Sequence, residues 1–61
     1  MKLASASTLI GIVDCIKEFW MREDIKLCPL SKTEFKIQLG GETKKDCLVR
    51  KEGKRFYFIK L

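Results

Sequence analysis

Two rhythms of hydrophobic positions run along this chain. Between residues 8 and 23, Leu9, Ile12, Val13, Ile16, Phe19 and Trp20 recur at spacings of three and four, the period of a helix with one apolar stripe. Asp14, Lys17, Glu18 and Arg22 fall on the other side. Ser7 is placed to cap this helix, and Glu18 stands four residues before Arg22, the favourable order for a surface pair. Gly11 weakens the first turn by about 1 kcal/mol relative to alanine. Residues 1–6 read as a loose lead and residues 24–29 as a connection, with Pro29 stopping any helix before it.

Residues 29–41, "PLSKTEFKIQLGG", carry two conflicting signals. Phe35, Ile37 and Leu39 alternate with Lys36 and Gln38, as in a strand. Ser31-Lys32-Thr33-Glu34 is also a capping box, Leu30 and Phe35 occupy the positions of a hydrophobic staple, and Gly40-Gly41 supplies a left-handed stop. Three end signals outweigh three alternating residues, and the spacing predicts a short helix over 32–39, with a strand as the alternative.

Residues 46–51 and 54–61 predict a β-hairpin turning at Glu52-Gly53, where Gly53 provides positive φ. That register sets Arg50 opposite Arg55 and Val49 opposite Phe56. Leu48, Tyr57, Ile59 and Leu61 then share one face, and Cys47, Val49, Phe56 and Phe58 the other. The fold expected is α+β: a single domain, residues 1–61, of two helices followed by a basic β-hairpin.

Composition and charge sharpen this outline. The chain has 61 residues, 46% hydrophobic and 34% charged, which fits one small folded domain. So short a chain buries about 60% of the surface that its unfolded form exposes and leaves no room for a deep cleft. It has no histidine, no G-x-S-x-G and no P-loop. Catalysis is therefore not expected, nor is a cofactor. Cys15, Cys28 and Cys47 lack metal-site or disulfide-framework spacing and read as reduced thiols of a cytoplasmic protein. No run is long enough for a membrane span. The opening "MKLASASTLIGIVDC" is superficially like a lipoprotein signal, but its small residues precede the apolar run instead of following it.

The net charge is +5, and it is unevenly placed. Residues 1–43 hold six basic and six acidic side chains; residues 44–61 hold seven basic against Asp46 and Glu52. Arg50, Lys51, Lys54 and Arg55 crowd the hairpin turn, with Lys44 and Lys45 just before it. Like charges facing across a ladder repel, and a phosphate backbone would relieve them. These six residues, with Lys32 and Lys36 on the second helix, are the candidate contacts to nucleic acid, DNA foremost. The apolar face carrying Val49, Phe56 and Phe58 is a candidate docking surface for a larger enzyme or a second copy, unless residues 3–9 fold across it.

The order helix, short helix, basic hairpin is similar to a reduced winged helix. Residues 29–61 resemble the winged-helix modules at the ends of phage, plasmid and poxvirus-type primase–helicases. The resemblance is carried by Pro29, Leu30, Ser31, Phe35, Leu39, Gly53, Arg55, Tyr57 and Leu61. It implies a nucleic-acid-facing role in replication of a mobile element or virus, beside a polymerase, primase or helicase. It also implies that Tyr57, Ile59 and Leu61 point inward and Phe56 and Phe58 outward.

Overall fold

The computed structural model describes residues 1–61. Its elements follow in the order β1 (Lys2–Ala6), α1 (Leu9–Trp20), β2 (Ile25–Pro29), β3 (Glu34–Leu39), β4 (Glu42–Glu52) and β5 (Arg55–Lys60). The strands form one antiparallel sheet in the order β1-β5-β4-β3-β2. Helix α1 connects the two edge strands by crossing one face of the sheet. The other face has no covering layer.

This architecture overturns the expected pair of helices followed by a hairpin. The lead at residues 1–6 is an edge strand, the connection at 24–29 is the opposite edge strand, and the predicted second helix is β3. The winged-helix arrangement implied by the resemblance is therefore not the one found.

The reason is clearest at Ser31. Its hydroxyl does accept from the backbone N–H groups of Thr33 and Glu34, both at 3.2 Å. Yet Leu30 N–H donates to the Glu34 carbonyl at 2.8 Å, which closes a hairpin turn. The same local bond serves a helix start or a turn, so the choice passes to the residues that follow. β3 pairs with β2 on one side and β4 on the other, and these ladders satisfy the backbone groups that a helix would have satisfied locally. Gly40 and Gly41 keep their left-handed role, with φ of 60° and 106°, but in the two-residue β3–β4 turn.

Helix α1 follows its stripe. Thr8, one residue after Ser7, is the cap and accepts from Gly11 N–H at 2.9 Å. Ile12 and Ile16 are fully buried. Gly11 has a packing reason: a Cβ there would lie 3.1 Å from the Ala6 Cβ, so glycine lets the first turn approach β1 closely. The expected Glu18–Arg22 pair does not form. The helix ends at Met21, and Arg22 turns instead to Asp24, its Nε donating to Oδ1 at 2.8 Å.

The core lies between α1 and the central strands. Ile12 and Ile16 meet Ile37, Cys47, Val49 and Phe58. The Phe58 ring sits edge-on to Phe19 and Trp20, with centroids 5.2 Å from each.

The β4–β5 hairpin turns at Gly53-Lys54, one residue later than expected. Glu52 pairs with Arg55, Arg50 with Tyr57, and Val49 with Phe58. The shift preserves the expected division between faces but not the partners. The direction of the faces is the reverse of the expected one: Val49 and Phe58 are fully buried under α1, while Leu48, Arg50, Tyr57 and Ile59 belong to the open face. Leu3, Ala4 and Ala6 pack beside that core, but the helix is what covers it.

Candidate nucleic-acid interface

Strands β2 to β5 form a meander, so alternate turns lie at the same end of the sheet. The β2–β3 turn, which contains Lys32, therefore stands beside the β4–β5 turn, which contains Lys54. A bond from Lys51 N–H to the Thr33 carbonyl at 2.7 Å ties the two together. Arg55 follows the second turn, and its guanidinium donates to the Ser5 hydroxyl at 3.1 Å. Lys32, Lys51, Lys54 and Arg55 are all exposed. None has a carboxylate within ion-pair distance. Because Ala6 pairs with Phe56, the chain leaves β1 at this same end, and α1 starts there with no acidic residue in its first turn. The positive end of the helix dipole adds to the field of the four cations.

Only Glu34 and Glu52 bring negative charge near this end, and Arg50 and Lys2 engage them. Glu42 begins β4 at the opposite end of a molecule 29 Å long, and Asp14 and Glu18 lie on the solvent side of α1. Glu52 is the acid nearest the basic turn, and Lys2 engages it at 2.8 Å.

Arg50 is not part of the basic end. It lies in the middle of the open face, where its Nε donates to Glu34 at 2.9 Å and its Nη1 stands 4.0 Å from Glu52. Lys2 extends the chain of charges, bonded to Glu52 and stacked 4.0 Å above the centre of the Tyr57 ring. The expected repulsion between Arg50 and Arg55 does not exist, because Arg50 faces Tyr57 and Arg55 faces Glu52. This half-exposed network shields the apolar atoms of Tyr57 and Ile59 from water. The Lys2 bond holds the Glu52 carboxyl below its ordinary range.

The remaining expected contacts separate from the tip. Between Lys36 and Ile37 the β3 pairing jumps from Leu48 to Lys44, so Lys45, Asp46 and Cys47 bulge out of the ladder. Lys36, Lys44 and Lys45 gather around this bulge, beside Leu30, Leu48 and Leu61. Thus the eight cations expected to act together divide into an end cluster of four, a bulge group of three, and Arg50, which its own carboxylates occupy.

The apolar docking face does not survive. Val49 and Phe58 are core residues with no exposed surface. Phe56 is half-buried, packed against Phe35 with ring centroids 6.2 Å apart. Their alternation looked two-sided because both faces of the hairpin carry apolar side chains. The deciding element, α1, is distant in sequence.

Sequence reasoning missed two features. One is the Glu34–Arg50–Glu52–Lys2 network, since Lys2 and Glu52 are 50 residues apart. The other is the place of Lys32, which a turn and not a helix brings to the basic tip. No three His, Cys, Asp or Glu side chains converge as a metal site would require. The three cysteines are free, and burial pushes the Cys47 thiol up. No helix is long and apolar enough to cross a membrane.

Compared with known proteins, the chain matches no family model, no curated protein and no solved structure.

Proposed function

We propose that this protein is a non-catalytic nucleic-acid-binding domain whose basic end meets the phosphate backbone. The observation that carries this function is the clustering of Lys32, Lys51, Lys54 and Arg55, exposed and free of carboxylates, on two turns bound to each other. Four exposed cations without carboxylate partners have their counter-charges in solution. A polyanion that neutralises them releases condensed counterions, an entropic gain that surface ion pairs within the protein do not provide. Phosphate contacts of this kind position a duplex without reading its sequence. The short turns present no helix to a major groove, so base-specific reading is not part of the proposal. The replication role rested on the winged-helix resemblance, and the fold lends it no support.

The test is binding to short duplex DNA across a salt series. Replacing the four cations together (Lys32→Gln, Lys51→Gln, Lys54→Gln and Arg55→Gln) should weaken binding. It should also flatten the log–log salt slope by up to about 3.6, at ~0.9 for each lost phosphate contact. Arg50→Gln should leave that slope unchanged, because Arg50 already has Glu34. If the quadruple variant binds as the parent does, the basic end is only a solvated surface.

A further inference from the structure

The open face holds a second feature, separate from the basic end. At the β4 bulge a shallow depression of about 420 Å³ is floored by Leu30, Leu48 and Leu61 and rimmed by Lys36 and Lys45, with Lys44 contributing only its stem because its ammonium lies 5.8 Å from the centre of the Trp20 ring on the helix side. No acid lines it. Lys36 and Lys45 have no ion-pair partner, and Lys44 has only Asp46, at 3.7 Å. Leu30 is 51% exposed, which is unfavourable for an aliphatic side chain.

Its occupant must satisfy both halves. A phosphate backbone matches the lysines but leaves the leucines wet, and no aromatic ring lines the depression for a base to stack on. A wholly apolar ligand leaves the two ammonium groups of Lys36 and Lys45 beside it without counter-charge. A second copy of this chain would bring another +5, and the outward ridge of α1 that carries Asp14 and Glu18 also carries Lys17. The match is a segment that supplies carboxylates and aliphatic side chains together, on a partner of opposite net charge steered in by the protein's field.

We propose that the bulge depression docks an acidic, leucine-anchored segment of a partner protein. The leucines of the segment complete the floor made by Leu30, Leu48 and Leu61. Its carboxylates pair with Lys36 and Lys45. Its lysines are distinct from the four cations of the basic end, although Leu30 adjoins the turn that holds Lys32, and one molecule can engage both ligands.

The probe is a short synthetic peptide of glutamate and leucine, compared by fluorescence anisotropy with an all-glutamate peptide of the same length and with short duplex DNA. Burying two leucine side chains even in part should make the mixed peptide bind about tenfold tighter than the all-glutamate one. Leu30→Ser with Leu61→Ser should remove that advantage and leave all-glutamate binding as it was. Lys36→Glu with Lys45→Glu should abolish binding of both peptides. Lys51→Gln with Lys54→Gln should weaken DNA binding alone. All of these side chains are exposed, and unchanged far-ultraviolet dichroism and melting would confirm the fold of each variant.

Three results would overturn the proposal. Equal affinity for the two peptides would mean that only charge is sensed. Loss of DNA but not peptide binding in the Lys36→Glu, Lys45→Glu variant would give the depression to the polyanion. Self-association of the parent that disappears on Asp14→Lys with Glu18→Lys would make the occupant a second copy.

Discussion

Single residues show most directly how local chemistry was reused. Met21 closes α1 with φ of 54°, a left-handed conformation that costs a side-chain-bearing residue about 1–2 kcal/mol and glycine almost nothing. The side chain is 91% exposed, so its packing offsets little of that cost. Met21→Gly should stabilise the protein by about 1 kcal/mol in urea unfolding. No gain would mean that the terminal turn is frayed in solution. Phe58 is the opposite case. The sequence places it on the same face as Val49 and Phe56, as the structure does, but the direction of that face needed the helix. With only seven side chains buried, there is little redundancy in the core. Phe58→Ala should cost about 3–5 kcal/mol, comparable to the whole stability of a small domain, and leave a chain unfolded at room temperature. A cooperative thermal transition retained by that variant would contradict its central place.

Elements were legible to the extent that their determinants are close in sequence. Helix α1 was readable because its stripe, its cap region and its stop all lie within a few residues. The β4–β5 hairpin was readable because alternation and Gly53 are local, although its turn begins one residue later than the glycine alone indicated. β3 was misread because Ser31, Glu34 and the glycine pair are compatible with two structures, and the ladders on both sides of Phe35, Ile37 and Leu39 decide between them. β1 and β2 carried almost no signal. They are short edge strands, and each exists because another strand offers it a row of donors and acceptors. The candidate site divides the same way. Lys51, Lys54 and Arg55 were legible as a basic turn, whereas the capture of Arg50 by Glu34 depends on strands that lie 16 residues apart.

For the whole molecule, the distribution of ion pairs sets a dependence on pH. The carboxyls of Asp24, Asp46 and Glu52 are each held below their ordinary range by a hydrogen bond, from Arg22, Lys60 and Lys2 respectively. A carboxyl depressed in this way binds its proton less readily folded than unfolded. Its contribution is present above about pH 4 and lost as pH falls through the folded value. The ammonium groups of Lys2 and Lys60 are raised by those same partners, so their contribution holds through neutral pH and disappears only above about pH 10. The chain has no histidine. Melting temperature should therefore be flat from about pH 5 to 9 and fall on acidification below about 4. A marked transition between pH 6 and 8 would contradict these pairings. The Lys2–Glu52 and Arg50–Glu34 pairs also separate the functions proposed for the surface, because they neutralise part of the open face and leave the basic end and the bulge lysines Lys36 and Lys45 to meet partners.

The sequence by itself determined the helix, the turn-forming glycines, the division of the last hairpin into two faces, and the excess of positive charge near the C-terminus. Each depends on residues a few positions apart, where steric and hydrogen-bonding preferences act before the chain has folded. Only the tertiary structure decided that residues 34–39 are a strand, that Phe58 points inward, and which cations are left without a partner. Those outcomes turn on strand pairing and burial between distant segments, and a long-range ladder or a shared core outweighs any single local preference.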